Sequence, residues 1–274
     1  LGLFLKKLFS MNTQIIIFTD LDGTLLDTKT FKFDQISQYV KHLISIGVII
    51  IPNSSKTEDE ILDFIDELGI NLSFISENGS AIHNLDLINK NLPKKIILSR
   101  NKDEIFKIFK EKISLKYQSK LQLISNLSLN EKLEIFGLPK SKLDLSMNRN
   151  YSIPLKFLGN IEDKENIINN LTKIGLRIQE GGRIMNLGDN ITKGTAMTKT
   201  LHLIKSNLNK DVKTIGVGDN FNDLEMIKKS DFPCLIKNDN FDHKKVNINN
   251  LIISNKPSPM GWADVIKIAM EKIN

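Results

Sequence analysis

Two acidic pairs stand out in the amino-acid sequence. In Asp20-Leu21-Asp22-Gly23-Thr24-Leu25 two carboxylates lie two positions apart, directly after the apolar run 14–19 (QIIIFT). A strand ending in such a turn leaves both side chains at a sheet's carboxyl edge, where open α/β folds bind ligands. One carboxylate can attack phosphorus to give an acyl phosphate, and a neighbour can carry protons for the leaving and attacking oxygens. Close carboxylates repel, so a bound cation is the natural way to keep both ionised. The competing readings are an ordinary acidic turn and a calcium loop. An EF-hand loop needs a ligand at position 5 and Gly at position 6, but here position 5 is Thr24 and Gly23 falls at position 4.

The second pair lies in Gly216-Val217-Gly218-Asp219-Asn220-Phe221-Asn222-Asp223, again after an apolar run. Asp219 takes the place that Asp20 takes in the first, and Asp223 follows one helical turn later. Together they offer oxygen ligands and supporting hydrogen bonds to a hard cation such as Mg²⁺. A dinucleotide fingerprint would need glycine where Phe221 stands. Ser54, in Pro52-Asn53-Ser54-Ser55-Lys56-Thr57, offers a hydroxyl and a backbone N–H near a helix start, either an anion site or a simple cap. Lys193, in Thr192-Lys193-Gly194, suits a phosphate and the nucleophile's carboxylate, or else solvent.

The elements that must position these residues follow an alternating pattern. Strands are expected at 14–19, 48–51 and 72–75, with helices at 33–46 and from a Thr57/Glu60 capping box through Leu68. The pattern returns late, with helices at 190–205, 222–229 and 262–273 and strands at 214–217, 232–236 and 251–254. Such alternation implies a Rossmann-like, doubly wound parallel sheet. Between the halves, helical stretches (103–112, 162–174) mix with strand-like ones such as 152–158. The expectation is an α/β catalytic core from residues 11–84 and 190–274, with an α+β domain inserted at 85–189. Residues 1–10 (LGLFLKKLFS) lack a small-residue cleavage site; they read as an extension of uncertain status before a start at Met11.

Composition narrows the function classes. The chain has 274 residues, 41% apolar and 26% charged, enough for a sizeable core. Its net charge of +6 comes from lysines scattered through helical stretches, a solvated basic surface rather than a nucleic-acid footprint. A single cysteine, Cys234, excludes an internal disulfide framework and fits a reducing cytoplasm. No apolar run approaches the ~20 residues a membrane span needs. The four histidines, His42, His83, His202 and His243, lack metal-ligand spacing.

In their order, Asp20-Leu21-Asp22-Gly23-Thr24, Ser54, Lys193 and Gly218-Asp219-Asn220-Phe221-Asn222-Asp223 resemble the four motifs of the haloacid dehalogenase superfamily over nearly the whole chain. The resemblance implies Mg²⁺ and phosphoryl transfer through Asp20. Asp22 would be general acid/base with its backbone carbonyl on the metal, Asp20 and Asp219 direct ligands, and Asp223 a supporting one. The insertion after the third strand resembles the superfamily's type-II cap, which closes over the core and chooses a small phosphorylated metabolite.

Within the superfamily, Ser54-Ser55-Lys56-Thr57, Glu77-Asn78-Gly79-Ser80-Ala81-Ile82, Arg149-Asn150-Tyr151-Ser152-Ile153-Pro154, Gly181-Gly182-Arg183 and Pro259-Met260-Gly261-Trp262 resemble segments of the mannosyl-3-phosphoglycerate phosphatases. Arg149 and Arg183 suit a substrate carboxylate as bidentate donors, with Ser55 and Lys56 at the same anionic end. Ile153 stands where that family has Glu, and Asn186 where it commonly has His, so the sugar is left open. The alternatives at this point are a general sugar-phosphate phosphatase, a phosphomutase and a non-catalytic binding protein.

Overall fold

The structure is a computed structural model describing residues 13–180, 184–239, 241–243 and 246–273. Its central sheet is built from β1 (Thr13–Thr19), β2 (Ile49–Pro52), β10 (Asp211–Gly218), β11 (Phe232–Leu235) and β12 (Ile252–Ile253), in the order β12-β11-β10-β1-β2. Every pairing is parallel; Ile16 lies opposite Thr214 on one side and Ile49 on the other. Buried on both faces, β1 reads as a continuous apolar run because its alternate side chains enter different cores. Ile15 and Ile17 join a cluster with Ile36, Phe64 and Trp262, from α1 (Asp34–Ser45), α2 (Glu58–Leu68) and α9 (Met260–Ile273). Ile16 and Phe18 face Ala196, Met197 and Ile204 of α7 (Lys193–Asn207).

Local chemistry sets the ends of these helices. The Thr57 side chain accepts from Glu60 N while Glu60 returns to the Thr57 N–H, and Gly69 closes α2 in the left-handed conformation. Helix α7 starts later than the expected 190: the Thr192 side chain accepts from Thr195 N, so Lys193 is its first residue. The expected helix 222–229 divides into a 3₁₀ turn, Phe221–Asp223, and α8 (Leu224–Lys229).

The third strand departs from expectation. β3 (Phe74–Ser76) touches the parallel sheet through an isolated bridge, Ile75 to Asn53, and pairs antiparallel with β4 (Ala81–His83), which pairs with β5 (Lys95–Ile97). The reason is the tight turn at Glu77–Gly79, which sends the chain straight back along β3 instead of through a crossover helix.

A second antiparallel sheet, β6-β7-β9-β8, comprises β6 (Leu121–Leu123), β7 (Ser152–Phe157), β8 (Leu176–Glu180) and β9 (Met185–Asp189). Helices α3 (Lys102–Lys112) and α6 (Ile161–Lys173) supply Ile105, Phe109, Ile167 and Leu171 to its own apolar core. Where the chain enters and leaves this unit, Asp189 accepts from Arg100 N at 2.6 Å and Arg100 Nε at 2.8 Å. Helices α4 (Leu129–Phe136) and α5 (Lys140–Met147) complete it; α5 leans on α2, with Lys142 paired to Asp63 and, at 2.9 Å, to Glu67. An α+β cap thus stands over the carboxyl edge of a Rossmann-like sheet.

Candidate active site

The strand ends β1 and β10 are neighbours, so the two acidic turns meet. Carboxylate oxygens of Asp20, Asp219 and Asp223 all lie within 4.8 Å of one another, and all three residues are buried. Two glycines make the approach possible. Gly23 has φ +77°, and a Cβ there would sit 2.6 Å from Asp219 Oδ2; a Cβ on Gly218 would overlap the Asp223 side chain.

Lys193 enters from the first turn of α7, its ammonium fully enclosed, 2.8 Å from Asp20 and 2.7 Å from Asp223. Burial alone would lower its pKa, but the two carboxylates more than offset this and hold it above the ordinary lysine value. Asp223 accepts from Asp219 N (3.0 Å) and Asn220 N (3.1 Å). Burial nonetheless pushes it up to about 6 against the pull of Lys193. Asp219 is raised well above the carboxylate range, first by burial and then by Asp223 and Asp20, although Thr24 (3.0 Å) and Asn238 (2.7 Å) donate to it.

Three buried carboxylates around one ammonium carry more negative charge than the protein itself neutralises, and every donor is a hard oxygen. This is an environment that fits Mg²⁺. Asp22 stands apart from the cluster: its side chain is 40% exposed, Oδ2 pairs with Lys56 at 2.9 Å, and Oδ1 is buried without a partner among the described residues. Burial by the surrounding walls raises its pKa, and Lys56 partly counters this. Lys56 also reaches Glu60 at 3.3 Å.

The cleft above has a volume of about 350 Å³. Asp20, Asp22 and Asp219 form its floor, Ser55 and Lys56 one wall, and Arg149 and Asn186 part of its roof. Arg149 Nη1 donates to Ser55 O at 3.1 Å, joining roof to wall. Ser54 is completely buried and is not on the cleft surface. Its Oγ accepts from Lys56 N at 3.3 Å, and among the described residues no acceptor takes its proton. Arg183 lies outside the described residues.

Several contributors were not singled out from sequence. Asn53 Nδ2 donates to Lys193 O at 2.9 Å, steadying the start of α7. Trp262 Nε1 donates to Thr19 Oγ1 (3.0 Å), whose hydroxyl donates to the Asp20 carbonyl (2.7 Å). Asn238, like the two acidic turns, follows a strand of the parallel sheet, and that position was the signal available for it.

A family model described as haloacid dehalogenase-like hydrolase matches residues 17–257. The glucosyl-3-phosphoglycerate/mannosyl-3-phosphoglycerate phosphatase of Persephonella marina is 30% identical over 263 residues, 92% of this chain and 96% of its own. Its namesake from Methanococcoides burtonii is 30% identical over 281 residues, 94% of this chain and 98% of its own. In fold, the chain is similar to a haloacid dehalogenase-like hydrolase from Bacteroides thetaiotaomicron, with a TM-score of 0.62 at 15% identity over 96% of this chain and 100% of that one. With the two acidic turns and Lys193 brought together and the family matched over most of the chain's length, this chain belongs to the haloacid dehalogenase-like hydrolases.

Proposed function

We propose that the protein is a Mg²⁺-dependent phosphatase that releases phosphate from a glycosyl-3-phosphoglycerate, the mannosyl compound foremost, through an aspartyl phosphate on Asp20. The observation that carries this reading is the placement of Lys193 between Asp20 and Asp223 at the floor of the cleft. An enclosed ammonium beside a strand-end carboxylate orients that group for attack and offers positive charge to phosphate oxygens.

In this scheme an Asp20 oxygen forms a bond to phosphorus as the bond to the leaving glycerate oxygen breaks. Asp22, with its raised pKa and its access to the cleft, supplies the proton to that oxygen. It then takes a proton from the water that attacks the aspartyl phosphate, releasing inorganic phosphate and restoring Asp20. Lys193 takes phosphate oxygens, and the Ser54 hydroxyl, fully buried and without an acceptor among the described residues, is proposed to join it when phosphate enters. Asp20, Asp219 and the Asp22 backbone carbonyl would hold the metal with support from Asp223; when bound it neutralises charge developing on the transferred phosphoryl group.

The substrate class is supported by the relatives' names and by the roof of the cleft. Arg149, with Lys56 and Ser55 beside it, suits the carboxylate of a phosphoglycerate, and Arg183 is proposed for the same end. The boundary expected at 84/85 moves, because β5 pairs with β4, and Leu85 and Leu92 pack with Ile16 and Phe18. The core is therefore proposed to include residues 85–98 with 11–84 and 190–274. The cap is proposed to begin near Arg100, run to Asp189 and exclude water during turnover.

The test is phosphate release with Mg²⁺ from mannosyl-3-phosphoglycerate, its glucosyl analogue and simple sugar phosphates. A strong preference for either glycosyl phosphoglycerate is expected. Equal or better turnover of simple sugar phosphates would refute the substrate while sparing the chemistry.

A further inference from the structure

Glu77 is a buried carboxylate, 2% exposed, to which the proposed reaction gives no task. It opens the turn between β3 and β4, where Glu77 and Asn78 hold φ values of +45° and +59°. Non-glycine residues keep such angles only where their surroundings over-determine them. Here the turn is tied on three sides.

Toward the phosphate end, Glu77 N donates to Lys56 O and Asn78 N to Ser54 O, both at 2.8 Å. Toward the second acidic turn, Asn78 Oδ1 accepts from Asn222 Nδ2 at 3.1 Å. Toward the cap, the Glu77 carboxylate accepts from Asn150 N (2.9 Å), Tyr151 N (3.1 Å) and Ser152 Oγ (2.5 Å). Ser152 Oγ in turn accepts from Arg149 Nη1 at 3.1 Å. Arg149 is 4% exposed, and its Nε has no partner among the described residues.

We propose that Glu77 is a positioning residue that sets the Arg149 guanidinium in the cleft through Ser152. A guanidinium recognises a carboxylate through a fixed fork of donors, so its use depends on the plane in which it is held. The relay Arg149 → Ser152 → Glu77 spends one nitrogen on orientation, and a buried anion at its far end favours the cation above. The same turn also anchors the Ser54–Lys56 stretch and Asn222. One rigid piece therefore fixes the spacing between the phosphate end of the cleft and Arg149, which suits a substrate carrying phosphate and carboxylate a set distance apart. This inference rests on the proposed glycosyl phosphoglycerate substrate.

The experiment compares Ser152→Ala, Glu77→Gln, Arg149→Lys and the Glu77→Gln/Arg149→Lys double variant of the full chain with Mg²⁺. Each is assayed on mannosyl- and glucosyl-3-phosphoglycerate and on p-nitrophenyl phosphate, which has no aliphatic carboxylate. Ser152→Ala cuts the relay without touching the strained turn, so it decides the matter should Glu77→Gln fail to fold.

The expected result is a rise of about 10–30-fold in KM for the glycosyl substrate in both relay variants, with kcat changed far less. The loss on p-nitrophenyl phosphate should be at least ~10-fold smaller, and the double variant no worse than Arg149→Lys alone within about 2-fold. Equal losses on both kinds of substrate, unchanged KM in Ser152→Ala, or effects of Glu77→Gln and Arg149→Lys that multiply would overturn the role of Glu77. A wild-type protein indifferent to the glycerate carboxylate would instead overturn the substrate reading, and this role with it.

Discussion

The floor and the roof of the cleft are built on opposite plans. On the floor the charged groups are paired among themselves and with the backbone: Lys193 with Asp20 and Asp223, Asp219 with Thr24 and Asn238, Asp223 with two backbone amides. What is left over there is negative oxygen: Asp22 Oδ1 and, apart from its ion pair with Lys193, Asp20 Oδ1 are buried without a hydrogen-bond partner among the described residues. On the roof, buried polar atoms are left over. Arg149 Nε and Asn186 Oδ1 have no partner among the described residues, though Asn186 is only 3% exposed and lines the cleft. A floor whose surplus is negative oxygen suits a cation, whatever the substrate above it. A roof with unmet donors and acceptors waits for a particular ligand, because a buried polar atom left unpaired carries a desolvation penalty.

The comparison is broken most severely from the floor. Asp20→Asn keeps the volume and removes the proposed nucleophile, so phosphate release should fall by at least ~10³-fold on every substrate alike, with the melting temperature no lower. Retained turnover, read by phosphate release, would end the scheme. Lys193→Met should remove activity and also destabilise the fold by roughly 3–5 kcal/mol, the usual cost of stranding one half of a buried ion pair. Denaturant unfolding checks this, and Mg²⁺ should recover part of the loss by neutralising the orphaned carboxylates.

Asn186→Leu sharpens the comparison from the roof. It should lower kcat/KM for a glycosyl phosphoglycerate by about 10-fold while affecting p-nitrophenyl phosphate far less, since a lost hydrogen bond to a substrate hydroxyl counts only where that hydroxyl exists. Equal effects on both would make Asn186 a packing residue.

The smallest expected effect lies away from the cleft. His83, between Ser76 Oγ (2.9 Å) and Glu58 (3.3 Å), has its pKa lowered to about 4, chiefly by burial. A histidine at its ordinary value near 6.5 in the unfolded chain binds its proton first as pH falls. Stability should therefore be full above pH ~6.5 and decline toward pH ~4, where the dependence levels off. His83→Gln should flatten that part of a melting-temperature profile, and an unchanged slope would assign it to other groups.

What the sequence made legible were groups whose geometry is local. Asp20 with Asp22, and Asp219 with Asp223, announce themselves because short spacing after a buried strand fixes where the side chains go. Trp262 and Asn53 also lie in recognisable segments, yet their tasks are set by the packing of α9 and α7 against β1 and β2. The antiparallel return of β3 was hidden for a related reason. Ser76-Glu77-Asn78-Gly79 looks like an ordinary loop until the strained turn and its ties to the cap are seen. For Ser54 the place after β2 is legible in the sequence, but its full burial and the Lys56 N–H that its Oγ accepts depend on how the following turn folds.

The most direct test of the account is to trap the intermediate. The protein, turning over a glycosyl-3-phosphoglycerate with Mg²⁺, is quenched with borohydride, which reduces an aspartyl phosphate to homoserine, and its peptides are then read by mass spectrometry. Homoserine at position 20, absent without substrate and absent in Asp20→Asn, is the predicted result. Conversion at another carboxylate, or none during active phosphate release, would contradict the claim that Asp20 carries the phosphoryl group.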